Sequence, residues 1–410
     1  MNRRDLLYLA AGAASFGLGG SFGAESLSYS ATGRSSTLIP DSEPNEVRGE
    51  TSSGAAGAQP SIPIIHYTDL FHPPDDPDDH VDLATLFALP ELDIRAIILD
   101  LGHNQRAKPG EIPVKQMMAL TGKKVAYAVG LAGPLRYPED KAENQSRRMA
   151  DGVELILRVL RESDQKVIIN ATGSMRDVAA AFNRDEALVR SKVARIYMNA
   201  GNSAPGDVEW NTVLDPQAYI RMMRSDLPVY WCPCFGGRIG TGLSGPGEAR
   251  FREYQTHWKF RQADVYESLA TPLQNFLLYA LGHKVVSLDD PIAYLSRNPE
   301  PELKQREWVQ TRHMWCTGPM IHAAGRGLYR NQDCWAALSS RTPEFQPSPV
   351  YEFVPASVTI DRDLQPTLKL SGATGNFRVF HILDSENYEK AMTTSLRGLL
   401  AGMPLASGLS

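Results

Sequence analysis

Six carboxylates crowd into the fourteen residues from Asp69 to Asp82. Asp76 suits a helix N-cap with Pro77 at the first helical position, and acids in a first helical turn each stabilise it by roughly a few tenths of a kcal/mol. That explains some of these acids but not Asp69, which ends a predicted strand. Several anions packed together repel one another unless a cation neutralises them, and hard oxygen ligands suit Ca²⁺ or Mg²⁺. The cluster therefore predicts a metal site. Its members are Asp69, Asp75, Asp76, Asp78, Asp79 and Asp82.

A second carboxylate pair, Asp289-Asp290, also follows a β-like run and precedes a helical pattern. Taken alone, it indicates a helix N-cap. In open α/β sheets, however, ligands bind beyond the carboxyl ends of the strands. Asp69, Thr172, Asn202 and Asp290 each follow a predicted strand, so a single sheet would gather them at one edge.

The elements that must position these residues alternate along the chain. The patterns predict strands at 62–66, 95–99, 125–129, 167–170, 196–198, 229–232 and 285–288, and helices at 77–89, 150–160, 175–182, 216–224 and 265–281. This alternation is typical of βαβ units and predicts an α/β fold with an open, mostly parallel, Rossmann-like sheet.

The last hundred residues break the alternation. Residues 299–347 contain three tryptophans among polar residues and indicate an irregular helical excursion. Short strands at 357–360, 368–370 and 378–382 and a helix at 386–400 are predicted after it. We interpret 61–410 as one domain with a C-terminal helical and β embellishment.

The N-terminus has the pattern of an export signal. Arg3-Arg4 precede an Ala- and Gly-rich apolar stretch that is too short to span a bilayer comfortably, and small residues follow it. We expect residues 1–23 to be a twin-arginine signal peptide and 24–60, rich in Ser, Gly, Ala, Pro and Glu, to be a disordered linker. The protein is then periplasmic or extracellular, with no membrane anchor.

Composition argues against several other classes of function. The net charge of −5 and the scattered Lys and Arg residues give no support to nucleic-acid binding. The four cysteines and the nine histidines show no zinc-finger or shared ligand spacing, so most of the histidines are interpreted as surface or packing residues. Trp308, Trp315 and Trp335 are expected in the core.

Five segments resemble, in order, the motifs of the inosine/uridine-preferring nucleoside hydrolase family, over most of 61 to about 298. The family's aspartate-rich opening loop is similar to Tyr67-Thr68-Asp69 followed by Asp78-Asp79. Further matches are the turn 171–177, the strand end 198–201, Glu209-Trp210-Asn211 with the following Asp215-Pro216, and the segment 290–293. The resemblance implies the nucleoside hydrolase fold.

The resemblance also implies a role for each matched residue. Asp69, Asp79 and Asp290 would bind Ca²⁺ through carboxylates, and Thr172 through its backbone carbonyl. Asp69 would be the general base for water held by the metal, with Asp290 beside it at the catalytic centre. The sugar and base contacts would be Asp78, Glu209, Trp210 and Asn211, with Asn104 and Asn202 as further contacts. The implied activity is hydrolysis of N-glycosidic bonds in ribonucleosides or a related glycoside, by a homo-oligomer.

Some features depart from the family pattern and leave alternatives open. The loop after Asp69 is longer than usual, so Asp75-Asp76 compete with Asp78-Asp79 for the metal and sugar roles. Asp289 stands where the family often has a histidine that protonates the leaving base, and His103 is a replacement candidate. The substrate stays open. The alternative function is a non-catalytic carbohydrate-binding or interaction protein on the same scaffold.

Overall fold

The computed structural model describes residues 61–102, 108–145, 151–237, 239, 251–282, 290–370 and 377–408. The predicted signal peptide, the predicted linker and the predicted strand at 285–288 lie outside these residues, as do Asn104, His103 and Asp289. The domain boundaries of the sequence analysis therefore stay predictions.

The strands are mostly short and alternate with helices over the first two thirds of the chain. In chain order they are β1 (Ile62–Thr68), β2 (Leu92–Leu99), β3 (Tyr127–Val129), β4 (Val167–Thr172), β5 (Val193–Met198), β6 (Val229–Trp231), β7 (Trp258–Arg261), β8 (Thr311–Met314), β9 (Gly327–Asn331), β10 (Cys334–Leu338), β11 (Gln346–Pro347), β12 (Tyr351–Ile360), β13 (Pro366–Leu370) and β14 (Phe377–Ile382).

The helices range from one turn to fourteen residues. They are α1 (Asp78–Phe87), α2 (Glu111–Thr121), α3 (Asp151–Glu162), α4 (Arg176–Arg184), α5 (Glu186–Lys192), α6 (Trp210–Leu214), α7 (Pro216–Met223), α8 (Gln262–Tyr266), α9 (Thr271–Leu281), α10 (Pro301–Trp308), α11 (Thr317–Ala323) and α12 (Tyr388–Ala401), with a 3₁₀ turn at Ala293–Ser296. None of the helices among the described residues is long and apolar enough to cross a membrane.

A nine-stranded sheet in the order β13-β12-β14-β6-β5-β4-β1-β2-β3 forms the centre of the fold. From β14 to β3 all neighbours are parallel, and the edge strands β12 and β13 are antiparallel. Thr68, the last residue of β1, pairs with Leu99 on one side and Thr172 on the other. Three strands thus end together. The predicted α/β fold with a mostly parallel sheet is confirmed.

Both faces of the sheet are covered, because successive side chains of its central strands enter opposite cores. Ile64 of β1 packs in the core with α1, α2, α9 and α12, while its neighbour Ile65 packs in the core with α3, α4 and α7. The continuous apolar runs of these strands are what a doubly covered parallel sheet requires.

Several predicted boundaries were wrong. The helix expected at 265–281 is two helices, and the second starts at Thr271 with Pro272 in its first turn, where a missing N–H costs nothing. Helix α2 was not predicted. The excursion at 299–347 contains the four short strands β8–β11 as well as two helices. Strands β12–β14 also belong to the central sheet, which they extend beyond β6.

Candidate active site

A cavity lies at the carboxyl ends of β1, β4 and β5. This is the edge where an open parallel sheet binds ligands. Its wall contains five carboxylates from one segment, polar residues after β4 and β5, and an aromatic side. The wall residues are Asp69, Asp76, Asp78, Asp79, Asp82, Thr172, Asn199, Glu209, Trp210, Asn211, Cys234, Phe235, Ile239, His257, His313, Trp315 and Cys316.

The acidic side comes from the end of β1 and the start of α1. Asp69 is 1% exposed and Asp79 is 5% exposed, so two charges are almost removed from water. The Thr68 hydroxyl donates to Oδ1 of Asp79 over 3.1 Å and accepts from the backbone N–H of Leu70 over 3.2 Å. Thr68 therefore connects the end of the strand, the loop and the first turn of the helix.

The structure separates the two acidic pairs that the sequence left in competition. Asp78 and Asp79 both line the cavity from the first turn of α1. Asp76 also lines it but forms an ion pair with Arg312. Asp75 is exposed and lies outside the wall.

Asp82, one turn further along α1, is a fully buried carboxyl in the same wall. Burial raises its pKa well above the usual range, and the charges of Asp78 and Asp69 add to that rise. A hydrogen bond with the Cys316 thiol opposes it. Burial and the neighbouring acids thus favour the neutral form of Asp82 over its charged form.

The turn after β4 approaches Asp69 closely. A Cβ at Gly173 would lie 3.1 Å from the backbone nitrogen of Asp69 and 2.8 Å from Oδ2 of Asp100. Only a glycine leaves room for the two strand ends to meet in this way. Thr172, immediately before this glycine, lines the cavity.

A polar cluster after β5 forms the next part of the wall. Glu209 caps α6, since its carboxylate accepts from the N–H groups of Asn211 over 2.9 Å and Thr212 over 3.3 Å. It also accepts from the N–H of Gly201 over 3.0 Å. The side-chain amide of Asn211 donates to the carbonyls of Asn199 over 2.9 Å and Thr172 over 3.4 Å. These bonds hold Glu209 and Asn211 against the end of β4.

A buried ion pair beneath the cavity supports the turn. Nε of Arg176 donates to Oδ2 of Asp215 over 2.9 Å, and its other nitrogens donate to the carbonyls of Leu101, Leu131 and Leu214. Asp177, next to it, accepts from the backbone N–H of Leu131 over 3.0 Å. Burial raises the pKa of Asp177 to about 7; the charge of Asp100 adds to this and that of Arg176 opposes it.

Comparison with known proteins gives the family. The sequence profile described as inosine-uridine preferring nucleoside hydrolase matches residues 70–346, about two thirds of the chain. The chain belongs to this nucleoside hydrolase family.

Related proteins and structures agree with this. Two relatives are pyrimidine-specific ribonucleoside hydrolases RihA. The protein of Enterobacter sp. (strain 638) is 30% identical over 189 residues, and that of Escherichia coli O1:K1 is 30% identical over 190 residues. Each match covers 41% of this chain. The matched region spans only 58% and 59% of those relatives.

Solved structures show the same nucleoside hydrolase fold. A plant nucleoside hydrolase, PpNRh1, superposes with a TM-score of 0.51 at 13% identity, and the purine-preferring ribonucleoside hydrolase of Gardnerella vaginalis with 0.50 at 14%. Each comparison covers 83% of this chain and 99% of the other. At such identities the likeness concerns the fold alone.

Seven residues that the family motifs indicate line the cavity of this nucleoside hydrolase fold: Asp69, Asp78, Asp79, Thr172, Glu209, Trp210 and Asn211. Asn202 and Asp290 do not. Asn202 is buried beside the cavity, with its amide donating to the carbonyl of Asp207. Asp290 is exposed, and its carboxylate accepts from the N–H groups of Ile292 and Ala293, each over 2.9 Å. In this structure the Asp290 carboxylate therefore stabilises the turn that leads into the 3₁₀ helix Ala293–Ser296.

The aromatic side of the cavity was missed by the sequence analysis. Strands β7 and β8 pair antiparallel, with Lys259 opposite His313, and bring His257, His313 and Trp315 to the wall. Trp315, which was expected in the core, packs against it and also lines the cavity, and the sequence analysis gave these two histidines no role at the site. No local signal marks them, because the two histidines lie 56 residues apart and share no motif.

Proposed function

We propose that this chain is a calcium-dependent hydrolase that cleaves the N-glycosidic bond of ribonucleosides or a related glycoside. The observation that carries the proposal is the cavity at the sheet edge, where the buried carboxylates of Asp69 and Asp79 lie with Thr172, Glu209 and Asn211. The family membership supports the reaction class.

The oxygen donors in the wall fit a hard cation. Asp69 and Asp79 are nearly buried in the wall, and carboxylate and carbonyl oxygens are the ligands that Ca²⁺ takes in proteins. Asp69, Asp79 and the Thr172 carbonyl would hold Ca²⁺. No group of three or more His, Cys, Asp or Glu side chains is arranged around a common ion position within the part of the chain that the structure describes. The calcium ion is therefore inferred from donor chemistry and family.

The residues of the cavity wall have different roles in the proposed reaction. Asp69 takes the proton from the attacking water, which adds to the anomeric carbon as the glycosidic bond breaks. When bound, Ca²⁺ would orient that water and stabilise hydroxide as it forms. Asp78, Glu209 and Asn211 contact sugar hydroxyls, and the negative charge of Asp78 and Glu209 stabilises an oxocarbenium-like transition state.

Export through the twin-arginine pathway and assembly into a homo-oligomer belong to the same proposal. The first rests on Arg3-Arg4 and the apolar segment after them. The second rests on the family resemblance.

The deciding experiment measures ribose release from inosine and uridine by the purified full-length protein. Activity should disappear with EDTA and return with excess Ca²⁺. Asp69→Asn should lower turnover by about 10²–10⁴-fold, as expected for loss of a general base. Asp75→Asn is the matched control, since Asp75 lies in the same loop but outside the cavity wall. A wild-type protein that binds ribosides without cleaving them would instead support the non-catalytic alternative.

A further inference from the structure

Two histidines separate the cavity from a second, outer cleft. Nε2 of His257 lies 2.9 Å from Nδ1 of His313, within hydrogen-bond distance. His257 lines the inner cavity, and His313 lines both the inner cavity and the outer cleft. The pair therefore forms a continuous hydrogen-bonded connection through the wall that β7 and β8 make.

The outer cleft is wide and open to water. It lies between the β7–β8 pair and α12, and its lining includes the exposed residues Lys259 and Thr311 and, from α12, Glu389 and Arg397. Small solutes can enter such an open cleft. His313, which is half-buried, is the wall residue shared by the two spaces.

His257 lies in apolar surroundings on the inner side. It is 4% exposed, and its ring centroid lies 5.4 Å from the rings of both Phe235 and Trp315. Burial lowers the pKa of His257 to about 3, and the neighbouring His313 and Lys259 add to the effect. The ring is therefore neutral at pH 7. Its Nδ1 is buried and has no hydrogen-bond partner among the described residues.

We propose that His257 and His313 form a two-imidazole path that carries a proton from the outer cleft to the leaving base. The proposal rests on the nucleoside hydrolysis proposed above and deepens it, since it assigns the leaving-group side of the same site. Trp315 and Phe235 beside His257, and Trp210 in the same wall, suit a flat heterocycle, because aromatic faces stack on such rings. The carboxylate side suits the sugar.

The proton transfers balance. As the glycosidic C–N bond breaks, its electron pair goes to the base, and a ring nitrogen of the base takes the proton from Nδ1 of His257. Nε2 of His257 takes the proton from Nδ1 of His313, and the other ring nitrogen of His313 takes one from water in the outer cleft. The attacking water gives its hydroxyl to the sugar and its proton to Asp69, which returns it to solvent. No net proton is consumed.

This path explains why a neutral histidine can serve as the donor. A single buried imidazolium next to Phe235 and Trp315 would be poorly solvated and costly. In the relay, His257 receives one proton while it gives another, so it never carries a net charge. His313 likewise gives one proton to His257 while it takes another from water in the outer cleft.

The test compares two leaving groups on the full-length protein. Inosine and uridine release a base that needs a proton, whereas 4-nitrophenyl β-D-ribofuranoside releases a stable anion that needs none. His257→Gln and His313→Ala should each lower kcat/KM for the nucleosides by about 10²-fold or more and leave the nitrophenyl riboside near its wild-type rate. Because the nitrophenyl substrate reports on folding and sugar binding in the same sample, a misfolded variant is recognised at once.

Imidazole rescue separates the two histidines. Free imidazole in the buffer can reach the position of His313 through the outer cleft, so it should restore nucleoside cleavage by His313→Ala and not by His257→Gln. His381→Gln is the matched control, since His381 stacks on Tyr254 and pairs with Glu352 outside both cavities. It should behave as wild type.

Two results would overturn the relay: an equal loss on both substrates, or no loss on the nucleosides. A wild-type protein that cleaves neither substrate would instead refute the hydrolase function itself. A protein that cleaves both substrates, with variants that lose both equally, leaves the hydrolase function standing and assigns the histidines a structural role.

Discussion

The hydroxyl of Thr68 and the carboxylate of Asp79 are joined by a hydrogen bond of 3.1 Å across the mouth of the acidic loop. This bond sets the position of the first turn of α1 against the end of β1. Asp69, the next residue after Thr68, is thereby kept in the same wall as Asp79. The proposed cation site depends on this local geometry.

Removing that hydroxyl should weaken both the fold and cation binding. Thr68→Val keeps the shape of the side chain but deprives the Asp79 carboxylate and the Leu70 N–H of a partner, which should cost about 1–3 kcal/mol of unfolding free energy. Titration calorimetry should show weaker calcium binding, that is, a larger dissociation constant. Thr68→Ser restores the hydroxyl and should recover most of both. Unchanged calcium affinity in Thr68→Val would mean that Asp79 is not a ligand.

Asp290 provides a second test of the ligand set. Asp290→Asn keeps a side-chain oxygen that can accept from the N–H groups of Ile292 and Ala293, and it removes only the charge. Since Asp290 is exposed and lies outside the cavity wall, we expect it to reduce calcium affinity much less than Asp79→Asn does. Equal losses in the two variants would return Asp290 to the metal site.

Asp177 should make stability depend on pH. Burial raises its pKa in the folded state to about 7, above the usual aspartate value of 3.8, so the folded protein binds this proton more tightly than the unfolded chain does. The contribution of Asp177 to the free energy of unfolding is fully present below about pH 3.8 and is lost as the pH rises through about 7. Asparagine imitates the neutral carboxyl, so Asp177→Asn should gain in Tm relative to wild type as the pH rises from 4 to 8. If the Tm of Asp177→Asn and the Tm of the wild type changed equally with pH, the prediction would be contradicted. Asp164→Asn, at an exposed site, is the control and should show such an equal change.

Gly201 should not tolerate a side chain. Its φ is +80°, and a Cβ there would lie 2.2 Å from the Tyr219 hydroxyl. Gly201→Ala should lose at least about 1–3 kcal/mol and displace Glu209, which accepts its N–H, so that KM for a nucleoside rises. Gly398→Ala, where a Cβ meets nothing within 4 Å, is the control and should not destabilise the protein. Thermal unfolding and initial rates measure both effects.

The export proposal predicts where the protein accumulates. Replacing Arg3-Arg4 by lysines should retain the full-length precursor inside the cell, whereas the wild type should be recovered outside the cytoplasm with its N-terminus near Ala24. The measurement is cell fractionation followed by N-terminal sequencing. Export that is unaffected by the double substitution would refute the twin-arginine pathway.

The alternation of apolar strands and amphipathic helices predicted the parallel sheet because each element carries its own hydrophobic pattern. Ile64 and Ile65 must face opposite cores in any strand, and the apolar residues of α1 must cover one of them. The edge rule for parallel sheets then placed Asp69 and Thr172 near each other, since both end neighbouring strands. Boundaries such as the break before Pro272 were missed because the apolar pattern continues across it.

The sequence by itself therefore determined the fold class, the acidic loop and the family, all of which depend on short stretches of chain. Only the tertiary structure decided that Arg312 would pair with Asp76, that Asp290 would lie outside the cavity wall, and that His257 and His313 would meet in the wall. Each of these outcomes is a choice among competing partners. A carboxylate satisfies its charge with whichever donor the fold brings within reach, and two histidines 56 residues apart become neighbours only when β7 and β8 pair.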